Sequence, residues 1–87
     1  MSEIINEKVS VLVSYDRDSA KVLPLIVKWQ GKVHKIKHIG LHYPVRVGRK
    51  LLHYFAVVTE NNTSFKLKHD TETLHWILEE VIDEFAA

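Results

Sequence analysis

Two apolar, β-rich runs flank the polar tetrad Glu60-Asn61-Asn62-Thr63, and this arrangement restricts the fold more than any other feature of the chain. Asparagine tolerates the positive φ that tight hairpin turns require, so the tetrad predicts a hairpin between Leu51–Thr59 and the run from Thr63. With Asn61 and Asn62 as a two-residue loop, the expected pairs are Thr59 with Ser64, Val58 with Phe65, Val57 with Lys66 and Ala56 with Leu67. Tyr54, Ala56, Val58, Phe65 and Leu67 then form the core face. Phe55, Val57, Lys66 and Lys68 form the opposite face, an aromatic and basic surface.

Similar patterns surround this hairpin. Val9, Val11, Val13 and Tyr15 alternate with period two and predict a strand, closed by the polar turn Asp16-Arg17-Asp18-Ser19. Leu23–Trp29 predicts a second strand with Pro24 at its start or on an edge, because proline cannot donate to a ladder. Gln30-Gly31 supplies a tight turn, and Lys32 to Ile39 returns as a third strand with a bulge near Lys37-His38. Leu41 to Arg49, with Pro44 and Gly48, reads as a long basic excursion.

The C-terminal segment supports two readings. Leu74, Ile77, Leu78, Val81, Ile82 and Phe85 fit an amphipathic helix over 71–85, which gives an α+β alternative. A four-residue turn at Asp70-Thr71-Glu72-Thr73 instead pairs Leu67 with Trp76 and Phe65 with Leu78, extending one core face. The strand reading builds the more coherent core. The expected fold is a small, mainly β domain, a twisted antiparallel sheet or partly open barrel of five to six strands. It spans 1–87, with residues 1–8 and 84–87 as flexible tails.

Four sets of positions carry a resemblance. They are Pro24, Trp29, Gly31 and Ile36; Tyr54-Phe55 and Val57; Phe65 and Leu67; and Trp76, Leu78 and Val81. Over roughly residues 22 to 83 the chain resembles an uncharacterised family of small bacterial domains, found alone or appended to Y-family (translesion) polymerase-like proteins. The resemblance implies a compact antiparallel sheet ending in the Trp76 strand and no catalytic residue. The company such domains keep tilts function towards DNA transactions.

Charge is the main functional signal. The formal net charge of +1 hides a segregation: Ser19–Thr59 holds eight lysines and arginines and no acid, and all eleven carboxylates lie outside it. Lys32, Lys35, Lys37, Arg46, Arg49 and Lys50 are the candidate phosphate contacts, and Tyr43 and Phe55 the candidate stacking platforms, in a module that binds DNA or RNA. Trp29, beside a tight turn, is expected to be a core lid. The alternative is a homodimerising or partner-protein-binding domain, given 46% hydrophobic residues in so short a chain. Whether Ile26, Phe55, Val57, Ile77 and Val81 face solvent discriminates between the two.

Other chemistry finds little support. His34, His38 and His42 recur every fourth residue, about 13 Å apart along a strand, too far to share a metal. His69 and His75 read as an exposed hairpin end. Ser64 has no His–Asp partnership, and three scattered glycines form no phosphate loop. The expectation is a protein without catalytic residues, metal or cofactor. Absence of cysteine, of a secretion-like start and of a membrane-length apolar run points to the cytoplasm.

Overall fold

The computed structural model describes residues 2–83. Six antiparallel strands follow one another: β1 (Ser2–Asp16), β2 (Lys21–Trp29), β3 (Lys32–Val47), β4 (Lys50–Thr59), β5 (Thr63–Asp70) and β6 (Trp76–Asp83). Each pairs with its neighbour in the chain, and β1 pairs with β6 from Ser2↔Ile82 to Val9↔Trp76, closing the sheet into a ring. The C-terminal segment is strand, as the coherent-core argument predicts, and the helix alternative over 71–85 is not formed in its described part. Residues 84–87, read as a tail, lie outside the described residues.

The central hairpin corrects the predicted register. Its loop has three residues, Glu60-Asn61-Asn62, with the Asn62 amide donating to the Thr59 carbonyl at 2.9 Å and Asn62 at φ 62°. A β-turn followed by one left-handed residue is the usual three-residue hairpin solution. The pairs become Val58↔Ser64, Val57↔Phe65, Ala56↔Lys66 and Phe55↔Leu67. Side chains alternate with period two, so a one-residue change exchanges the faces of β4. Phe55, Val57 and Thr59 therefore point inward with Phe65 and Leu67, whereas Tyr54, Ala56 and Val58 are only half-buried. Fully burying a side chain such as Phe or Val contributes about 1.5–3 kcal/mol. That favours hiding Phe55 and Val57 over Ala56 and a tyrosine whose hydroxyl needs a partner.

Val27, Trp76 and Leu78 complete the buried cluster, with Ile5, Val9, Val11, Trp29 and Ile36 packed around it. Trp29 is the expected lid: it meets Phe65 edge-on at 6.0 Å, and its indole N–H donates to Glu7 Oε2 at 3.0 Å. The register shift between Leu12 and Val13 leaves Leu25 of β2 as the extra residue; on β1, Val9 and Val11 pack on the core while Val13 and Tyr15 are exposed. Ser2–Lys8, read as a tail, instead belongs to β1 and supplies most of its pairing with β6. Polar residues suit this strand because much of it faces solvent.

The presumed excursion at 41–49 is also mostly strand. β3 runs to Val47 and pairs with β4 down to Val47↔Lys50, with irregularities between Ile36 and His38 and between Ile39 and Leu41. Against β2, however, β3 pairs only from Ile26↔Lys35 to Trp29↔Lys32. Its second half has a strand on one side alone, which is the condition a mid-strand proline such as Pro44 requires. A seam thus opens between β2 and the later part of β3.

Candidate nucleic-acid interface

Because ring order equals chain order, the acid-free segment of sequence becomes one side of the molecule, strands β2, β3 and β4 in succession. Among the described residues, the carboxylates fall on β1, β5, β6 and the turns beside them. Charge segregation along the chain is therefore segregation in space.

The six nominated cations divide by their partners. Lys32 and Lys35 are exposed at the start of β3, beside Trp29 and Ile26 of β2. Arg46 is exposed near the end of β3, and Arg49 on the turn between β3 and β4. None of these four forms an ion pair among the described residues. Lys37, at the first β3 irregularity, donates to Asn62 Oδ1 and ties β3 to the hairpin loop. Lys50 is a structural cation: its Nζ lies 2.7 Å from Asp70 Oδ2. Asp70 also accepts the backbone amides of Glu72 and Thr73 at 2.9 and 3.3 Å, which shapes the turn after β5. The Lys50 ammonium and those amides hold the Asp70 carboxyl at about 2, and Asp70 in turn raises Lys50. On β5, Lys68 is 3.4 Å from Glu79 and largely covered, so it adds little free charge.

The aromatic assignments need one correction. Tyr43 lies on the outer face of β3 and stacks on Tyr54, its cross-strand partner, at 5.4 Å and 9°. Phe55 is 2% exposed and belongs to the core, so it offers no platform to a base. The register error that placed Phe55 outside also hid Tyr54 by assigning it to the core. Tyr43 and Tyr54 are the accessible aromatic pair.

At one end of the ring the inward face of three strands carries imidazoles. His42 (β3) stacks on Phe55 at 4.2 Å and 7°, and its Nε2 lies 2.9 Å from His53 Nδ1 (β4). His53 pairs across strands with His69 (β5), which stacks on Trp76 at 4.2 Å and 4°. Burial lowers both His42 and His69, with the positive charge of His53 adding to the effect; Lys21 lowers His42 further, and Asp70 partly restores His69. His69 is therefore not the exposed hairpin residue expected, although His75 is. The signal for the cluster was available in parity, since His53 stands two residues from Phe55 on the same face. His34, at the other end, sits 5.1 Å from the Phe65 ring with its buried Nε2 unpartnered, and burial lowers it as well. No group of three or more His, Cys, Asp or Glu among the described residues could hold a metal ion. No helix is long and apolar enough to cross a membrane.

No family model matches the chain, and no curated protein or solved structure shows significant similarity to it.

Proposed function

We propose that this protein is a small nucleic-acid-binding module whose β2–β4 side follows a phosphate backbone. The observation that carries the reading is that Lys32, Lys35, Arg46 and Arg49, all within the acid-free segment that forms β2–β4, are exposed without an ion-pair partner among the described residues. Cations already paired would have to break those pairs before meeting a phosphate; these four need not. The stacked Tyr43–Tyr54 pair on the outer face of β3 and β4 offers a face to an unpaired base. Single-stranded DNA or RNA is the ligand this combination suits, because a duplex hides its base faces. The resemblance to domains appended to translesion polymerase-like proteins points the same way, and a cysteine-free chain suits the cytoplasm.

Fluorescence anisotropy with labelled single-stranded and duplex oligonucleotides across a salt series tests the reading. Four phosphate contacts on a single strand give a slope of log affinity against log salt of about −3. Changing Lys32, Lys35, Arg46 and Arg49 together to Gln should remove most of that slope. Tyr43→Ala should weaken binding by about 1–3 kcal/mol per stacked base while leaving the slope intact. Absence of binding at low salt ends the proposal.

One observation favours a second reading, self-association. Leu12 and Val33 are 58% and 56% exposed and flank half-buried Ile26 in a shallow groove on the outer face of β1–β3. Of the other discriminating residues, Phe55 and Val57 are core and Val81 packs against it, which leaves less apolar surface for a partner than the composition suggested. A strict monomer by light scattering at micromolar concentration tells against this reading.

A further inference from the structure

Beneath the open part of the β2–β3 seam lies a cavity of about 200 Å³, lined by Lys21, His42, His53, Phe55, His69 and Thr71 among others. It is smaller than the ~300–1,000 Å³ typical of sites for drug-sized ligands, so it suits a compact group. Four of its lining residues, contributed by β2, β3, β4 and β5, carry a nitrogen able to hold a proton. No carboxylate lines it, and the adjacent Asp70 is committed to Lys50 and to two backbone amides. The imidazole planes are fixed rather than free, His42 by stacking on Phe55 and His69 by stacking on Trp76.

We propose that this cavity is a binding site for a tetrahedral oxyanion of the phosphate class, either free or at the end of a phosphorylated chain. Imidazolium and ammonium N–H groups make charge-assisted hydrogen bonds to oxyanions, about twice as strong as neutral ones. Burial, and then the neighbouring His53, lower both His42 and His69, and the His42–His53 hydrogen bond uses one ring nitrogen as acceptor. An oxyanion supplies the counter-charge that the cavity lacks. Proton uptake then frees both ring nitrogens to donate, so binding and protonation favour each other and affinity rises as pH falls. The charged groups that act on the histidines are Lys21 on β2 and Asp70 on β5; Asp70 is paired with Lys50, and Lys21 stands across from Asp16 of β1, whose carboxyl it helps to lower. The site is independent of the nucleic-acid reading, because a small ion alone tests it.

Inorganic sulfate, whose charge is constant across this range, is titrated into the full chain at about pH 6 and pH 8 while the histidine ring resonances are followed by NMR. The expected result is that His42, His53 and His69 shift together and saturate, with affinity at least about tenfold tighter at the lower pH, as linkage to one proton allows. Lys21→Gln and His53→Gln should each weaken binding several-fold. The exposed Lys21 tests the site even if the core variant fails to fold. The proposal falls if the three rings do not saturate at the lower pH, or if they move no more than exposed His38 and His75. An unchanged affinity in Lys21→Gln also overturns it. Inorganic phosphate and a matched pair of 5′-phosphorylated and 5′-hydroxyl oligothymidylates then separate the sources. Ring shifts from the phosphorylated oligonucleotide alone identify a chain end. Saturation by inorganic phosphate while both oligonucleotides leave the rings unmoved identifies a free small phosphate.

Discussion

Asp70 and the three lowered histidines contribute in the same direction to one titration, at different pH. Asp70 is held at about 2, against an ordinary 3.8. A carboxylate depressed in the folded state contributes stability above its unfolded value, and that contribution is lost as pH falls from about 3.8 towards about 2. His34, His42 and His69 lie below the usual 6.5, so the folded state resists their protonation. Their contribution is full above 6.5 and declines as pH falls through that value. Thermal melts across the acid range should therefore show two separate declines in Tm. Asp70→Asn should abolish the lower decline, cost several degrees at neutral pH and leave the upper one in place. One continuous decline with no break would refute the assignment. Asp70 was legible in the sequence only as turn chemistry; its bond to Lys50 depends on a β4–β5 register that propensity does not encode.

At the scale of elements, the two C-terminal hairpins show what a sequence does and does not specify. Between β4 and β5, lengthening the loop by one residue inverted the faces, so Phe55 and Tyr54 exchanged places with respect to expectation. Between β5 and β6 the loop keeps four residues but slides by one, to Thr71–Leu74, closed by the Asp70 amide bonding to the His75 carbonyl at 3.0 Å. Sliding both ends moves the register next to the turn by two, Leu67 opposite Leu78 in place of Trp76, and parity survives there. A further irregularity between Lys66 and Leu67 sets Phe65 opposite Val81, not the expected Leu78. The strand's existence, and the presence of Trp76 and Leu78 in the core, were thus readable, whereas loop length was not. Both loops contain a left-handed residue, Asn62 at φ 62° and exposed Leu74 at φ 67°. Asparagine tolerates that conformation and leucine does not, at a cost of about 1–2 kcal/mol. Leu74→Gly should raise stability by about 0.5–1 kcal/mol after the added chain entropy is subtracted, and Asn62→Val should lower it by about 1–2 kcal/mol. Urea denaturation of both variants provides the check, and a destabilised Leu74→Gly would contradict the strain assigned to this turn.

For the whole molecule, the open seam is a hazard that the sequence manages. An unpaired strand edge templates pairing with another chain, and proteins blunt such edges with bulges, proline and charge. The open part of β3 has all three: two register irregularities, Pro44, and the cations Lys37 and Arg46. Arg46, one of the cations of the proposed interface, thus doubles as protection against pairing at this edge. Replacing Pro44 and Arg46 together by Val should promote concentration-dependent self-association, seen as a rising scattering mass, while either change alone does less. A double variant that stays monomeric at high concentration would show that the edge is shielded by something else. From sequence, Pro44 and Gly48 suggested a loop because both commonly interrupt strands; the structure accommodates Pro44 by withholding a neighbour from one side of β3.

The succession of neighbours around the ring bears on how the chain reaches it. Five of the six pairings join consecutive strands across short turns, and only β1 with β6 brings distant parts of the chain together. Loop-closure entropy for a long separation is therefore incurred once, when Ser2–Val9 meets Trp76–Ile82. Hairpins can form early and locally, which is a rapid route for an all-β topology. Trp76, buried between Phe55 and His69 and directly opposite Val9, reports that last event: its fluorescence should mature only when the ring shuts.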